Sequence, residues 1–98
     1  MNIRYEDADL QRMYEEADYR SKRWQKDIIR SFRKVVQWIM EADSESDLYA
    51  FKSLHYEKLK GNRVGQRSVR LNDQFRLILR IENNGIKAVV VIEIVDYH

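Results

Sequence analysis

From Ile86 to Val95 the chain reads Ile-Lys-Ala-Val-Val-Val-Ile-Glu-Ile-Val, β-branched almost throughout. A stretch this apolar belongs in the middle of a sheet rather than at its wet edge. Asn83-Asn84-Gly85 directly precedes it and is a hairpin signal, because Asn-Gly accepts the positive φ angles of a type I′ turn. The strand feeding that hairpin follows from period two, with Phe75, Leu77, Leu79 and Ile81 alternating against Arg76, Ile78 and Arg80. Arg67, Val69 and Leu71 alternate with Ser68, Arg70 and Asn72 in an earlier strand, joined on by the tight connection Asn72-Asp73-Gln74. Leu54, Tyr56 and Leu59 suggest one more strand, with a slip near Lys58, and Gly61 to Gly65 form a loop.

The first half of the chain switches to helical spacing. Met1 to Tyr5 reads as a short strand, and Asp7 or Asp9 caps a helix through Leu10, Met13, Tyr14 and Ala17. A longer helix follows a turn near Ser21, with an apolar stripe of Trp24, Ile28, Phe32, Val35, Val36, Ile39 and Met40. Its other face carries Lys26, Arg30, Arg33, Lys34 and Gln37. Ser44-Glu45-Ser46-Asp47 has the form of a capping box and starts a short turn through Leu48, Tyr49 and Phe51. The expected fold class is α+β: two helices packed on one face of a mainly antiparallel sheet of three to four strands, in a single domain spanning residues 1–98.

With no cysteine, disulfides and thiolate metal sites are excluded, and two histidines without clustered acids make a protein-built zinc site an unexpected one. No apolar run approaches a membrane span and the first residues form no signal peptide, so a cytoplasmic location is the expectation. Charge is unevenly spread. Residues 1–50 hold 9 Lys/Arg against 11 Asp/Glu, whereas residues 51–98 hold 9 against 5. Between Lys52 and Arg80 the basic residues are Lys52, Lys58, Lys60, Arg63, Arg67, Arg70, Arg76 and Arg80, against Glu57 and Asp73. Such clustering is either the footprint of a phosphate binder or the solvated face of a small sheet.

The apolar strand ends in Asp96-Tyr97-His98, an acid, a phenol and an imidazole at the rim of a rigid platform. If Phe75, Leu77, Leu79 and Ile81 face the helices, Arg76 and Arg80 face the other way, together with Arg70. Guanidinium forks suit phosphate oxygens. In a regular strand Asp96 and His98 share one face and Tyr97 takes the other.

The segment Glu57 to Leu77 resembles the core signature of HigB-type toxins, the plasmid maintenance killer branch of the RelE/ParE superfamily. It carries the Leu59-Lys60-Gly61 triplet, a short basic loop, the strand Ser68-Val69-Arg70, and Asn72 followed four residues on by Arg76. The ending Glu93-Ile94-Val95-Asp96-Tyr97-His98 is similar to the family's terminal motif. The resemblance is specific from about Asp47 to His98 and rests before that on the order of strand and helices.

It implies a compact RelE-like (microbial RNase-like) fold and a ribosome-dependent mRNA endonuclease that needs no metal or cofactor. It also implies a HigA-type antitoxin with a helix-turn-helix. By motif, Lys60, Arg76, Asp96, Tyr97 and His98 match the family's catalytic positions. Lys58, Arg63, Arg67, Arg70, Arg80 and His55 are the candidates for holding RNA. Part of the family has a histidine three residues before the triplet lysine; here Glu57 stands there, with His55 two residues earlier. The matching chemistry is transesterification by the RNA's own 2′-hydroxyl. The alternatives are a ParE-like inhibitor of DNA gyrase on the same fold, and a binding module without catalysis.

Overall fold

The apolar run becomes β5 (Lys87–Asp96), which lies between β1 (Asn2–Tyr5) and β4 (Phe75–Asn83). A computed structural model describes residues 1–97. Its remaining elements are α1 (Ala8–Glu15), α2 (Lys26–Glu41), α3 (Glu45–Ala50), β2 (Glu57–Lys58) and β3 (Gln66–Arg70), with 3-10 turns at Lys52–Leu54 and Gly61–Arg63. The sheet order is β1-β5-β4-β3-β2; β1 runs parallel to β5 and every other pairing is antiparallel. The expected α+β class holds, but with three α-helices and five strands. The sheet gains members because β1 crosses over to join β5, and the two residues of β2 suffice to form an edge.

One face of the sheet is covered. Leu77, Leu79, Val69, Val89, Val91 and Ile94 pack against Leu10 and Met13 of α1, Leu48 of α3, and the α2 stripe. Phe32, Val35, Val36 and Ile39 are essentially inaccessible, as a stripe spaced by threes and fours requires. The stripe is shorter than expected at both ends. Trp24 precedes the helix and meets the Phe75 ring edge-on at 5.5 Å, whereas Met40 is exposed.

Several turns differ from their sequence signals. Asn83 pairs with Lys87, so three residues link the strands; Gly85 takes φ 87° and Asn84 does not go positive, which rules out the type I′ form. Ser44 makes no capping bond, and Asp47 reaches back past it to the Asp43 N–H at 2.9 Å, so the expected capping box does not form. Leu54 and Tyr56 are buried but not in a strand. Leu54 closes the 3-10 turn and His55 is left-handed, with φ 48° and ψ 50°.

Asp7 caps α1 through the Leu10 N–H at 3.0 Å. Asp9 pins the irregular connection between α1 and α2. Its carboxylate accepts from the Tyr19 hydroxyl, from Ser21 Oγ at 2.8 Å and from Arg23 Nε at 3.0 Å. Burial pulls the Asp9 carboxyl upward, but these three donors outweigh it and hold it below its ordinary 3.8. A carboxyl lowered by folding binds fewer protons in the native state. Its contribution to stability is therefore present above the ordinary value and lost as pH falls through the lowered one. Asp9→Asn should accordingly reduce urea stability at neutral pH and match the wild type at about pH 2; an equal deficit at both would show that charge is not the cause.

Candidate active site

Helices cover one face of the sheet and leave the other without a helical layer. Arg4 of β1, Ser68 and Arg70 of β3, Arg76, Ile78 and Arg80 of β4, and Val90 and Glu93 of β5 point there by register. The expected parity of Arg70, Arg76 and Arg80 holds. Their availability does not follow from it. Arg80 bonds Glu6 at 2.7 Å and Glu82 at 2.9 Å, and Arg4 bonds the same Glu82 at 2.6 Å. Arg63 reaches from its 3-10 turn to Glu93 at 2.9 Å and to Gln66 at 3.0 Å. Arg70 bonds Asp73 in the adjacent turn. The basic face is thus largely neutralised. Alternation along β4 already put Glu82 beside Arg80; no signal in the sequence brought Glu6 or Glu93 there.

Arg76 is different. Its side chain is only 13% exposed, yet its ion-pair partner Glu57 stands off at 3.9 Å. Nη1 donates to the His55 carbonyl at 3.4 Å, and the guanidinium lies over the Tyr97 ring, 4.5 Å from its centroid. The left-handed backbone at His55, a conformation in which histidine is enriched, sits where that carbonyl meets Arg76. His55 therefore borders the site through its backbone, and Glu57 joins it by its charge. The sequence presents Glu57 as a counter-charge in the basic stretch and as a departure from the family motif, not as a site residue.

The end of β5 explains how Tyr97 arrives there. Ile78 pairs with Glu93, but Leu79 pairs with Val91, leaving Ile92 as an extra residue. Past this bulge Phe75 faces Asp96, and the Tyr97 N–H bonds the Gln74 carbonyl. Asp96 takes the helix-side parity of Phe75 and accepts from Gln74 Nε2 at 3.1 Å, while Tyr97 takes the face of Arg76. The expected site residue His98 lies outside the described residues. Lys60 is exposed just before the Gly61 turn and makes no side-chain hydrogen bond or ion pair among the described residues. No group of three potential metal ligands occurs among the described residues, and no helix is long and apolar enough to cross a membrane.

Two of the expected RNA contacts sit elsewhere. Arg67 pairs with Leu79 and so faces the helix side, where its Nε bonds Glu45 at 3.0 Å; Lys58 pairs with Arg67 on that same side. Burial raises the Glu45 carboxyl, but hydrogen bonds from Tyr56 and Arg67 and the nearby Lys58 charge prevail and hold it low. Arg67 thus ties β3 to α3. Arg67→Ala leaves a largely buried carboxylate short of its partner and should cost about 2–3 kcal/mol. Arg70→Ala breaks only an exposed pair and should cost less than about 0.5 kcal/mol in the same denaturant titration.

Residues 3–98 match the family model of HigB-like toxins, described as the RelE-like toxin of the type II toxin–antitoxin system HigB. Solved structures share the fold. YafQ from E. coli BL21(DE3) aligns with TM-score 0.64 and 13% identity over 97% of this chain and 91% of its own. The YoeB–YefM complex from Staphylococcus aureus gives 0.60 and 19% over 100% and 97%. The YoeB/ParE toxin from Agrobacterium tumefaciens gives 0.60 and 16% over the whole of both chains. A search of curated protein sequences finds no match.

Proposed function

This chain belongs to the HigB-like family of RelE-like toxins of type II toxin–antitoxin systems, and from that premise we propose that it is a ribosome-dependent mRNA endonuclease. Supporting this reading above all is Arg76. It is a guanidinium on a rigid strand, held by a ring and a carbonyl, with a carboxylate only at 3.9 Å. A cation so placed is ordered in advance yet keeps donors for an incoming phosphate. Strongly paired arginines such as Arg80 and Arg63 have their donors committed to carboxylates instead.

The reaction is attack of the RNA 2′-hydroxyl on the adjacent phosphorus. The P–O2′ bond forms, the P–O5′ bond breaks, and the products are a 2′,3′-cyclic phosphate and a 5′-hydroxyl. One group takes the proton from O2′ and another delivers one to O5′ as it leaves. Arg76, with Lys60, stabilises the charge on the phosphorane. Lys60 lies in the turn after β2, three residues beyond Glu57, and its ammonium needs no exchange of partners to bind. His98 is the proton carrier, imidazole being suited to neutral pH. Tyr97 is half exposed and can stack on a base with the ring face turned away from Arg76. Asp96, anchored by Gln74 on the other parity, holds the tail from which His98 acts. A nucleophile supplied by the substrate makes a metal unnecessary. The proposed setting is the cytoplasmic ribosome, and the proposed partner is a HigA-type helix-turn-helix antitoxin; the S. aureus neighbour is a YoeB–YefM toxin–antitoxin complex.

Mapping transcript 5′ ends after brief induction, then with purified ribosomes, tests the reading directly; blocked DNA supercoiling over intact mRNA would establish the gyrase alternative instead. Arg76→Ala and His98→Ala should each lower ribosomal cleavage at least about 10²-fold with the fold retained. Wild-type cutting by both variants would remove the assignment. Cleavage should also persist under chelator at concentrations that leave ribosomes assembled.

A further inference from the structure

The arginines of this chain sort into two groups. Those at positions 4, 12, 23, 63, 67, 70, 76 and 80 each lie 3.9 Å or less from a carboxylate oxygen. The other three, Arg20, Arg30 and Arg33, make no ion pair among the described residues, and all three line one cleft together with Lys26. This cleft, of about 430 Å³, opens between the α1–α2 connection and the amino-terminal half of α2, among elements that pack on the sheet face away from Arg76. Asp18 is the single acid lining it.

The cleft is built rather than incidental. Arg33 fixes its base by donating to the carbonyls of Met13 at 2.6 Å and of Glu16 and Ala17 at 3.1 Å, closing the open end of α1. Tyr19 fixes its wall: the hydroxyl is bonded to Asp9 and the ring is covered by Arg12 at 4.1 Å. At the lip, α2 begins at Gln25 without a side-chain cap, so the positive end of its dipole adds to the field of Lys26 and Arg30. Cations that are set in a concave wall without a carboxylate partner favour an anionic one.

We propose that this cleft docks an acidic, amphipathic segment of a protein partner. Lys26, Arg30 and Arg33 follow one another at i, i+4 and i+7 along α2, a spacing that an acidic helix can match turn by turn. Ala17 and Ile29 supply an apolar strip between the charges. A single nucleic-acid strand adds stacking of its bases on aromatic faces to its phosphate contacts. The one aromatic here, Tyr19, is already engaged on both counts, so a polypeptide fits better than RNA. The toxin–antitoxin reading identifies the partner as the antitoxin, and the surface itself does not depend on that reading. A segment seated here lies on the face of the sheet away from Arg76.

Arg20→Glu/Arg30→Glu tests this without risk to the fold, because neither side chain holds another residue. The probe is a labelled helical peptide with glutamates at i, i+4 and i+7 and leucines between, titrated against the full chain by anisotropy. The wild type should bind it, a lysine-for-glutamate version should not bind, and the double variant should lose at least about tenfold in affinity. Lys52→Glu/Lys87→Glu, equal in charge change and outside the cleft, should stay within about twofold of wild type. Equal losses in the two double variants would reduce the effect to net charge and overturn the proposal. So would an RNA hairpin whose binding falls in the cleft variant while the peptide's does not. Growth arrest by the cleft variant should match wild type, so a failed nuclease assignment and a failed docking surface give different patterns.

Discussion

Ile92 stands opposite no residue of β4, and that one unpaired position turns over every side chain that follows it. In an unbroken strand with Val91 inward, Glu93, Val95 and Tyr97 would also point toward the helices. With the bulge, Ile94 fills the core, Glu93 reaches Arg63 across the open face, and Tyr97 lands against Arg76. Asp96 is carried to the opposite side, beside Gln74 and Phe75. The composition of the proposed site is therefore a consequence of strand register. The ladder resumes on both sides of the bulge, so the lost pairing is confined to one residue.

Electrostatic pairing does the remaining selection. A face with Arg4, Arg63, Arg70, Arg76 and Arg80 would be strongly cationic if these were unpaired. Glu6, Glu82, Glu93 and Asp73 bond four of the five. Surface pairs of this kind contribute little stability, but they fix where each long side chain lies and which one keeps donors to spare. Arg76 is that one on the open face; Arg20 and Arg30 are their counterparts on the helix side. Cations without a close carboxylate partner thus lie on both faces, Arg76 on one, where the scissile phosphodiester is proposed, and Arg20 and Arg30 on the other, where a protein partner is proposed.

Much of this was legible in advance for identifiable reasons. The α2 stripe and the β4 alternation are long periodic signals, and they bury their predicted faces from Ile28 to Ile39 and at Leu77 and Leu79. Short elements were less readable. Leu54 and Tyr56 are spaced as in a strand and are buried, but a 3-10 turn and a left-handed His55 bring them inward. Ser44 has the right identity for a cap and lacks the bond, and Asp47 bonds Asp43 rather than the cap residue. Arg67 and Lys58 looked like members of the basic surface by composition, yet their register turns them toward Glu45.

The amino-acid order alone determined the α+β class, the apolar centre of the sheet, the arginine on the open side of β4, and the family to which the terminal motif belongs. These depend on periodicity and residue identity, which are local. The parallel pairing of β1 with β5, the bulge at Ile92, and the division of arginines into paired and unpaired were decided only by the folded chain. Each joins residues far apart in sequence, such as Glu6 with Arg80 or Arg63 with Glu93, and no local pattern encodes a distance between them.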